Sequence, residues 1–197
     1  MDKIYSILKK ESDAILSIPL DNLYGDVIDV IEHSVHVRKG KLICSGMGKA
    51  GQIALNMATT FSSTGTCAVY LHPSEAQHGD LGIVRENDVL LLISNSGKTR
   101  EIVELITLAR NLHPKIQIIC ITREPESPLA AGSDLVLYTG LTKEVCPLGL
   151  TPTVSTTVMT VIGDILVTLM MERIGFTKKE YSLRHHSGYL GQVSRGE

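Results

Sequence analysis

Residues 88–99, Asp88-Val89-Leu90-Leu91-Leu92-Ile93-Ser94-Asn95-Ser96-Gly97-Lys98-Thr99, set the architecture of the chain. The apolar run is too short for a helix, and it has none of the polar alternation of a strand with one wet face. It therefore reads as a strand buried on both sides. The small polar residues end the run, and helical spacing takes over across 99–112, up to His113-Pro114. Strand, small-residue loop and helix together make half of a parallel crossover unit.

The same grammar extends in both directions. Before this unit come an apolar run at 41–45, a helix near 49–63, a second run at 67–71 and a connection over 72–87. After it come strands at 116–121 and, more weakly, 134–138. Five short runs alternating with helices predict a three-layer αβα sandwich around a five-stranded parallel sheet, flavodoxin-like in kind. Two helices precede the sheet, roughly 3–17 and 22–37; Ile4, Leu8, Ile15, Val27, Val30 and Ile31 mark them as a packing or oligomer layer. Thr151-Pro152 offers an N-cap and a first-turn proline for a long helix to about Ile174, which Gly175 ends. The polar stretch 187–197 shows no period and is expected to add no regular structure. The chain is read as one domain over 1–197: a helical layer 1–38, a parallel core 39–150, and a long helix with a tail 151–197.

Composition narrows the function. The 19 Lys and Arg are offset by 21 Asp and Glu, with no basic block, so nucleic acid is not an expected partner. The N-terminus has no secretory apolar core, which points to the cytoplasm. The apolar stretch 154–171 carries Thr156, Thr157, Gly163 and Asp164, which are costly in lipid, so it reads as a buried helix and no membrane is expected. Cys44, Cys67, Cys120 and Cys146 are scattered, and free, mostly buried thiols are the expectation.

Parallel sheets bind ligands beyond the carboxyl ends of their strands. Four loops there are expected to face one crevice: 45–51, 72–80, 94–99 and 143–149. In the loop 94–99, hydroxyls around a glycine at a helix start suit a phosphate without any net basic charge. Ser96 or Thr99 could equally well just cap the helix. Gly97-Lys98-Thr99 is not a Walker A end, because position 92 is Leu where that loop needs glycine. Gly46-x-Gly48-x-x-Gly51 matches a dinucleotide fingerprint, but the second strand ends Tyr70-Leu71-His72 without the acid that would hold a ribose.

Ser45-Gly46-Met47-Gly48-Lys49-Ala50-Gly51, His72-Pro73-Ser74-Glu75-Ala76 with His78-Gly79-Asp80-Leu81-Gly82, Ser94-Asn95-Ser96-Gly97 and 143–153, Lys-Glu-Val-Cys-Pro-Leu-Gly-Leu-Thr-Pro-Thr, together closely resemble the sugar isomerase (SIS) domain of D-arabinose 5-phosphate isomerases. The resemblance spans nearly the whole chain, and the Glu-x-Cys-Pro-Leu-Gly-Leu-x-Pro-Thr segment carries most of its specificity. It implies interconversion of D-ribulose 5-phosphate and D-arabinose 5-phosphate, feeding 3-deoxy-D-manno-octulosonate (Kdo) synthesis for lipopolysaccharide or capsule. Other SIS isomerases, acting on hexulose 6-phosphate or sedoheptulose 7-phosphate, and a non-catalytic sugar-phosphate sensor are the alternatives. Many members carry a CBS pair after the SIS domain, whereas this sequence stops at Glu197. Any feedback by a downstream nucleotide sugar is then expected at the crevice itself, and a homotetramer is the expected assembly.

The resemblance puts the catalytic residues at Lys49, Glu101, Glu144 and His185. The family's closing His-Pro-Gly-Gly reads His185-His186-Ser187-Gly188 here. Aldose–ketose isomerisation needs a base beside a carbonyl and charge stabilisation for an enediolate, and no metal or cofactor is expected. Glu144 is the first choice as base. Glu101 lies in the first turn of a helix, where a negative charge is favoured anyway, so it takes a secondary, polarising role. Lys49 opposes its helix dipole, which argues for a functional reason such as stabilising the enediolate or phosphate. His185, with a reference pKa of about 6.5, could open the ring or shuttle a proton, and its place beyond the long helix lets it act in a neighbouring subunit. The phosphate is expected on Ser94, Ser96 and Thr99, with Ser45 and Gly46 approaching; Asn95 and His78 complete the expected substrate contacts.

Overall fold

Five strands, β1 (Leu42–Gly46), β2 (Ala68–Tyr70), β3 (Val89–Ile93), β4 (Gln117–Thr122) and β5 (Leu135–Tyr138), form one parallel sheet in the order β2-β1-β3-β4-β5. The structure is a computed structural model, and its described residues are 1–21 and 23–196, so Asn22, at the expected start of the second helix, and Glu197 lie outside them. The strand order is that of a flavodoxin-like sheet.

Successive side chains of a strand point to opposite faces. Leu42, Cys44, Val89, Leu91 and Ile93 therefore enter one core, and Ile43, Leu90 and Leu92 enter the other. Two helices of the first layer precede β1, namely α1 (Asp2–Leu16) and α2 (Tyr24–Ile31), the latter running on as a π-helical segment Glu32–Val37. With α3 (Gly48–Ser63) and α7 (Val154–Arg173) they cover the first face through Val27, Phe61 and Ile162. The opposite face is covered by α5 (Arg100–Leu112) and α6 (Pro128–Gly132) through Leu105 and Leu129. Both faces being dry, β3 can be apolar at every position. α7 is long and apolar enough to cross a membrane, and in the fold it packs against α1, α2 and α3. α1 buries none of its residues and leaves Ile4, Tyr5 and Leu8 exposed.

Several expectations are corrected. The connection 72–87 contains a short helix α4 (Pro73–Ala76) and a 3₁₀ turn Asp80–Ile83. The N-cap of α7 is Thr153, not Thr151, because the Glu144 carboxylate takes the Thr153 N–H and sets the helix start there. The tail is helical, with α8 (Lys178–Ser182) and α9 (Gly188–Arg195). A reciprocal Thr177/Glu180 capping box starts α8. Gly191 is the only residue these two helices bury, and the apolar side chains of α9, Tyr189, Leu190 and Val193, stay exposed. Of the four thiols, Cys44 and Cys120 are buried, Cys146 is half-buried and Cys67 is exposed.

The glycines at 46 and 51 bring strand and helix together. A Cβ at Gly51 would stand 2.5 Å from the Gly46 carbonyl oxygen, which also accepts a hydrogen bond from the Tyr70 hydroxyl. Backbone there cannot yield as a side-chain tip can. Gly51→Ala is therefore expected to lower stability by about 1–3 kcal/mol despite alanine's better helix propensity. Denaturant unfolding checks this, and an unchanged or raised midpoint would show that the approach relaxes.

Candidate functional site

β1 has β2 on one side and β3 on the other, and the helices that follow β1 and β3 lie on opposite faces. The crevice forms where the order reverses, beyond the carboxyl ends of β1 and β3. A cavity of about 360 Å³ lies there. Met47, Lys49 and Ala50 line it from the β1 loop, and Ser94, Asn95, Ser96 and Thr99 from the β3 loop. Arg123 reaches it after β4, and Glu144, Leu150, Pro152 and Ser155 close it from the β5–α7 connection and the start of α7. A larger cavity of about 520 Å³ lies between α1 and the 141–144 segment, and Glu144 lines both. The smaller one holds the serine loop and sits at the strand ends, which makes it the candidate site.

The serine loop is stiff before any ligand arrives. Gly97, at φ +61°, leaves room for Ser127, whose Oγ would stand 2.0 Å from any Cβ there, and the Gly97 carbonyl accepts the Leu129 N–H at 3.0 Å. Ser94 Oγ accepts the Gly97 N–H at 3.2 Å and meets Thr99 Oγ1 at 2.8 Å. Thr99 occupies the N-cap of α5, but its side chain caps no N–H. Its hydroxyl goes to Ser94 instead, so the first-turn amides of α5 keep no side-chain acceptor from the cap. Ser96 Oγ accepts the Lys98 N–H at 3.2 Å. Simple capping by Ser96 or Thr99 is therefore not what the loop does. The hydroxyl residues Ser94, Ser96 and Thr99 line the cavity at the positive end of α5, an arrangement that suits an anion.

Glu144 is held firmly on the opposite wall. Its Oε2 accepts the Thr153 N–H at 2.7 Å, the Thr153 hydroxyl at 2.8 Å and, more distantly, the Ser155 N–H at 3.4 Å. Oε1 accepts the Ser155 hydroxyl. Burial pushes the carboxyl upward, but the Ser155 and Thr153 hydrogen bonds outweigh it and hold the group below its ordinary value. Lys49, in the first turn of α3, is exposed and bonded only loosely to Gln52, at 3.4 Å.

Not every expected site residue joins this cleft. Ser45 is fully buried at the end of β1, its hydroxyl lacking a partner among the described residues, and neither it nor Gly46 lines the cavity. Glu101 sits in the first turn of α5 but outside the lining. His78 is exposed after α4, so the 72–80 loop does not face this cavity. His185 lies between α8 and α9, its ring stacked on Tyr181 at 3.7 Å. Its Nδ1 lies 3.0 Å from the Tyr181 carbonyl; since a carbonyl only accepts, Nδ1 carries the proton and Nε2 of the neutral ring holds the lone pair. Of the lining residues outside the expected set, Arg123 brings a guanidinium and Ser155 the hydroxyl that bonds Glu144. Arg123 follows a strand end, the position that should have flagged it. Its N–H donates to Asn95 O at 3.1 Å, and its Nε and Nη2 donate to Glu124 Oε1 at 3.0 and 2.7 Å. Among the described residues no three His, Cys, Asp or Glu side chains gather as a metal site.

Comparison with known proteins bears on the family and the fold. The SIS domain model matches residues 36–169. An arabinose 5-phosphate isomerase, KdsD, of Shigella flexneri is 49% identical over 154 residues, 78% of this chain and 46% of that protein, so the chain spans about half the length of the curated relative. A Bacteroides fragilis protein of known structure, described as a phosphosugar isomerase involved in capsule formation, is 62% identical, with a TM-score of 0.93 over 95% of this chain and 98% of that one. An Escherichia coli CFT073 protein solved in complex with arabinose 5-phosphate is 35% identical, with a TM-score of 0.84, over 92% and 95% of the two chains.

The loop that carries Glu144 also carries a thiol set apart from the others. Cys146 Sγ accepts the Thr151 and Leu150 N–H groups at 3.1 and 3.3 Å. Hydrogen bonds from the Thr151 side chain and backbone, joined by those of Leu150 and Leu148, bring its pKa down to about 7. Burial drives Cys44 strongly upward and Cys120 up to about 11. Iodoacetamide should therefore alkylate Cys146 with half-maximal rate near pH 7, the rate rising with pH as the thiolate forms, while Cys44 and Cys120 stay unmodified. Peptide mass spectrometry over pH 6–9 reads it, and equal labelling of Cys44 would contradict the assignment.

Proposed function

The chain belongs to the SIS domain family, and on that basis we propose that it is an aldose–ketose isomerase interconverting D-ribulose 5-phosphate and D-arabinose 5-phosphate through an enediolate. One observation carries the reading: a hydrogen-bonded carboxylate, Glu144, shares a single cavity with Lys49 and with the hydroxyl loop at the α5 N-terminus. In this reading the substrate phosphate rests on Ser94, Ser96 and Thr99. Arg123 adds a guanidinium on the phosphate side. Glu144 takes the proton beside the carbonyl and returns it to the neighbouring carbon, and Lys49 faces the negative charge that develops on the enediolate oxygens. Asn95, whose buried Oδ1 has no partner among the described residues, accepts from a substrate hydroxyl.

His185, with Nε2 ready to accept, works in a cleft other than its own, delivered by a neighbouring copy in a homotetramer. Glu101 keeps its secondary, polarising role from the first turn of α5, and Ser45 and Gly46 support the cleft from behind it. The whole chain acts as one SIS unit in the cytoplasm and supplies Kdo synthesis. A downstream nucleotide sugar would inhibit by occupying the same crevice.

The direct test is to incubate purified protein with ribulose 5-phosphate and detect arabinose 5-phosphate; binding without turnover would favour a sensor. Ser96→Ala and Arg123→Ala are each expected to raise KM about tenfold with little change in kcat, as lost hydrogen bonds to a charged group should. Glu144→Gln should cut exchange of substrate hydrogen with solvent deuterium by about 10²–10⁴-fold. Wild-type exchange in that variant would remove Glu144 as the base.

A further inference from the structure

The two oxygens of Glu144 are not equivalent. Oε2 accepts the Thr153 N–H at 2.7 Å and the Thr153 Oγ1–H at 2.8 Å, which occupy its two lone pairs, with the Ser155 N–H more distant at 3.4 Å. Oε1 has one protein donor, the Ser155 hydroxyl, and keeps a lone pair. Ser155 is 3% exposed, the first turn of α7 fixes its backbone, and it lines the same cavity as Lys49 and the serine loop. Thr153 stands at the N-cap of α7, yet its side chain caps none of the helix's own amides. It is turned back to the carboxylate nine residues earlier, and Thr153 Oγ1 also accepts the Val145 N–H at 3.2 Å. A threonine serving only as a helix cap would accept from its own first turn.

The geometry points to Ser155, together with Thr153, as positioning residues that hold Glu144 at both oxygens, Thr153 through Oε2 and the Ser155 hydroxyl through one lone pair of Oε1, and so present the remaining lone pair of Oε1 to the substrate proton. This rests on Glu144 being the base. The positive end of α7 and the hydroxyl donors favour the ionised carboxylate, so the base stands ready in one orientation and gives up some basicity for it. The charged groups that share its two cavities are Lys49 on α3, Arg123 after β4, Lys143 beside it, and Lys10 and Asp13 on α1. Among the described residues no ion pair within 4.0 Å joins any of them to Glu144. Cys146, two residues on, titrates near 7 and would mark a pH profile above the limb in question.

The experiment is a kcat and KM profile against pH for Ser155→Ala and Ser155→Thr, with thermal stability measured in parallel. Ser155→Ala is expected to lower kcat about tenfold with KM nearly unchanged, and to move the acid limb of the kcat profile to higher pH, because the ionised carboxylate loses a donor. Ser155→Thr, which keeps the hydroxyl, should restore both the rate and the limb. Thr153→Val, which keeps the Thr153 N–H but loses the hydroxyl, provides the same readout if Ser155→Ala does not fold. An unmoved acid limb with a loss of stability alone, or a change in KM alone, would overturn the positioning role. If Glu144→Gln abolishes deuterium exchange while the limb in Ser155→Ala stays put, only the positioning role fails. If Glu144→Gln exchanges like the wild type, the base assignment fails and the positioning role fails with it.

Discussion

A parallel strand cannot turn straight back to its neighbour; the chain must cross over a face of the sheet, and it does so with one hand. Everything else in this molecule follows from where that constraint meets the order β2-β1-β3-β4-β5. Leaving β1 toward β2 lays α3 on one face, and leaving β3 toward β4 lays α5 on the other. The two departures open a crevice at the carboxyl ends of β1 and β3 that neither helix fills. Glycine is needed where backbone crowds the rim, as at Gly51 against the Gly46 carbonyl and at Gly97 against Ser127.

The crevice is charged at fixed places because its helices begin there. The amides at the start of α5 and α7 are left unsatisfied inside the helices, and each start is handled differently. At α5 the capping hydroxyl of Thr99 is diverted to Ser94, which leaves the helix end open toward the cavity. At α7 the Glu144 carboxylate fills the role of cap and takes the Thr153 amide for itself. One helix start is thus available to an anion from outside, and the other holds an anion belonging to the protein. A nearly neutral chain can hold an anion in this way, since the field is local and owes little to a net charge of −2.

Much of this was legible in the residues themselves. Five apolar runs set between helical periods predicted a doubly wound sheet, and the five strands fall within a residue or two of those runs. The glycines at 46, 48 and 51 looked like a dinucleotide fingerprint, and the lack of an acid after the second run argued against that reading. The contact geometry at Gly46 and Gly51 shows a packing role that is common to both. Lys49, Glu144 and the serine loop were picked out from motifs, and they do line one cavity. Arg123 stands alone after its strand, with no small-residue motif around it to mark it in the sequence. The tail helices are short, and the apolar side chains of α9, Tyr189, Leu190 and Val193, are too few among glycines and polar residues to mark a helix by spacing alone.

The order of residues settles what is local and periodic: which segments are strands and helices, which faces are apolar, and which loops carry hydroxyls, acids and glycines. These follow from spacing along the chain, which fixes side-chain direction before any partner is met. Which loops share a cavity was settled by the packing of the layers, and that packing separated Glu101, His78 and His185 from the cleft that Glu144 occupies. Packing also made Thr153 rather than Thr151 the start of α7, because the acceptor that sets it comes from nine residues away. A hydrogen bond between distant segments depends on how the layers come together, and the spacing of residues does not encode that distance.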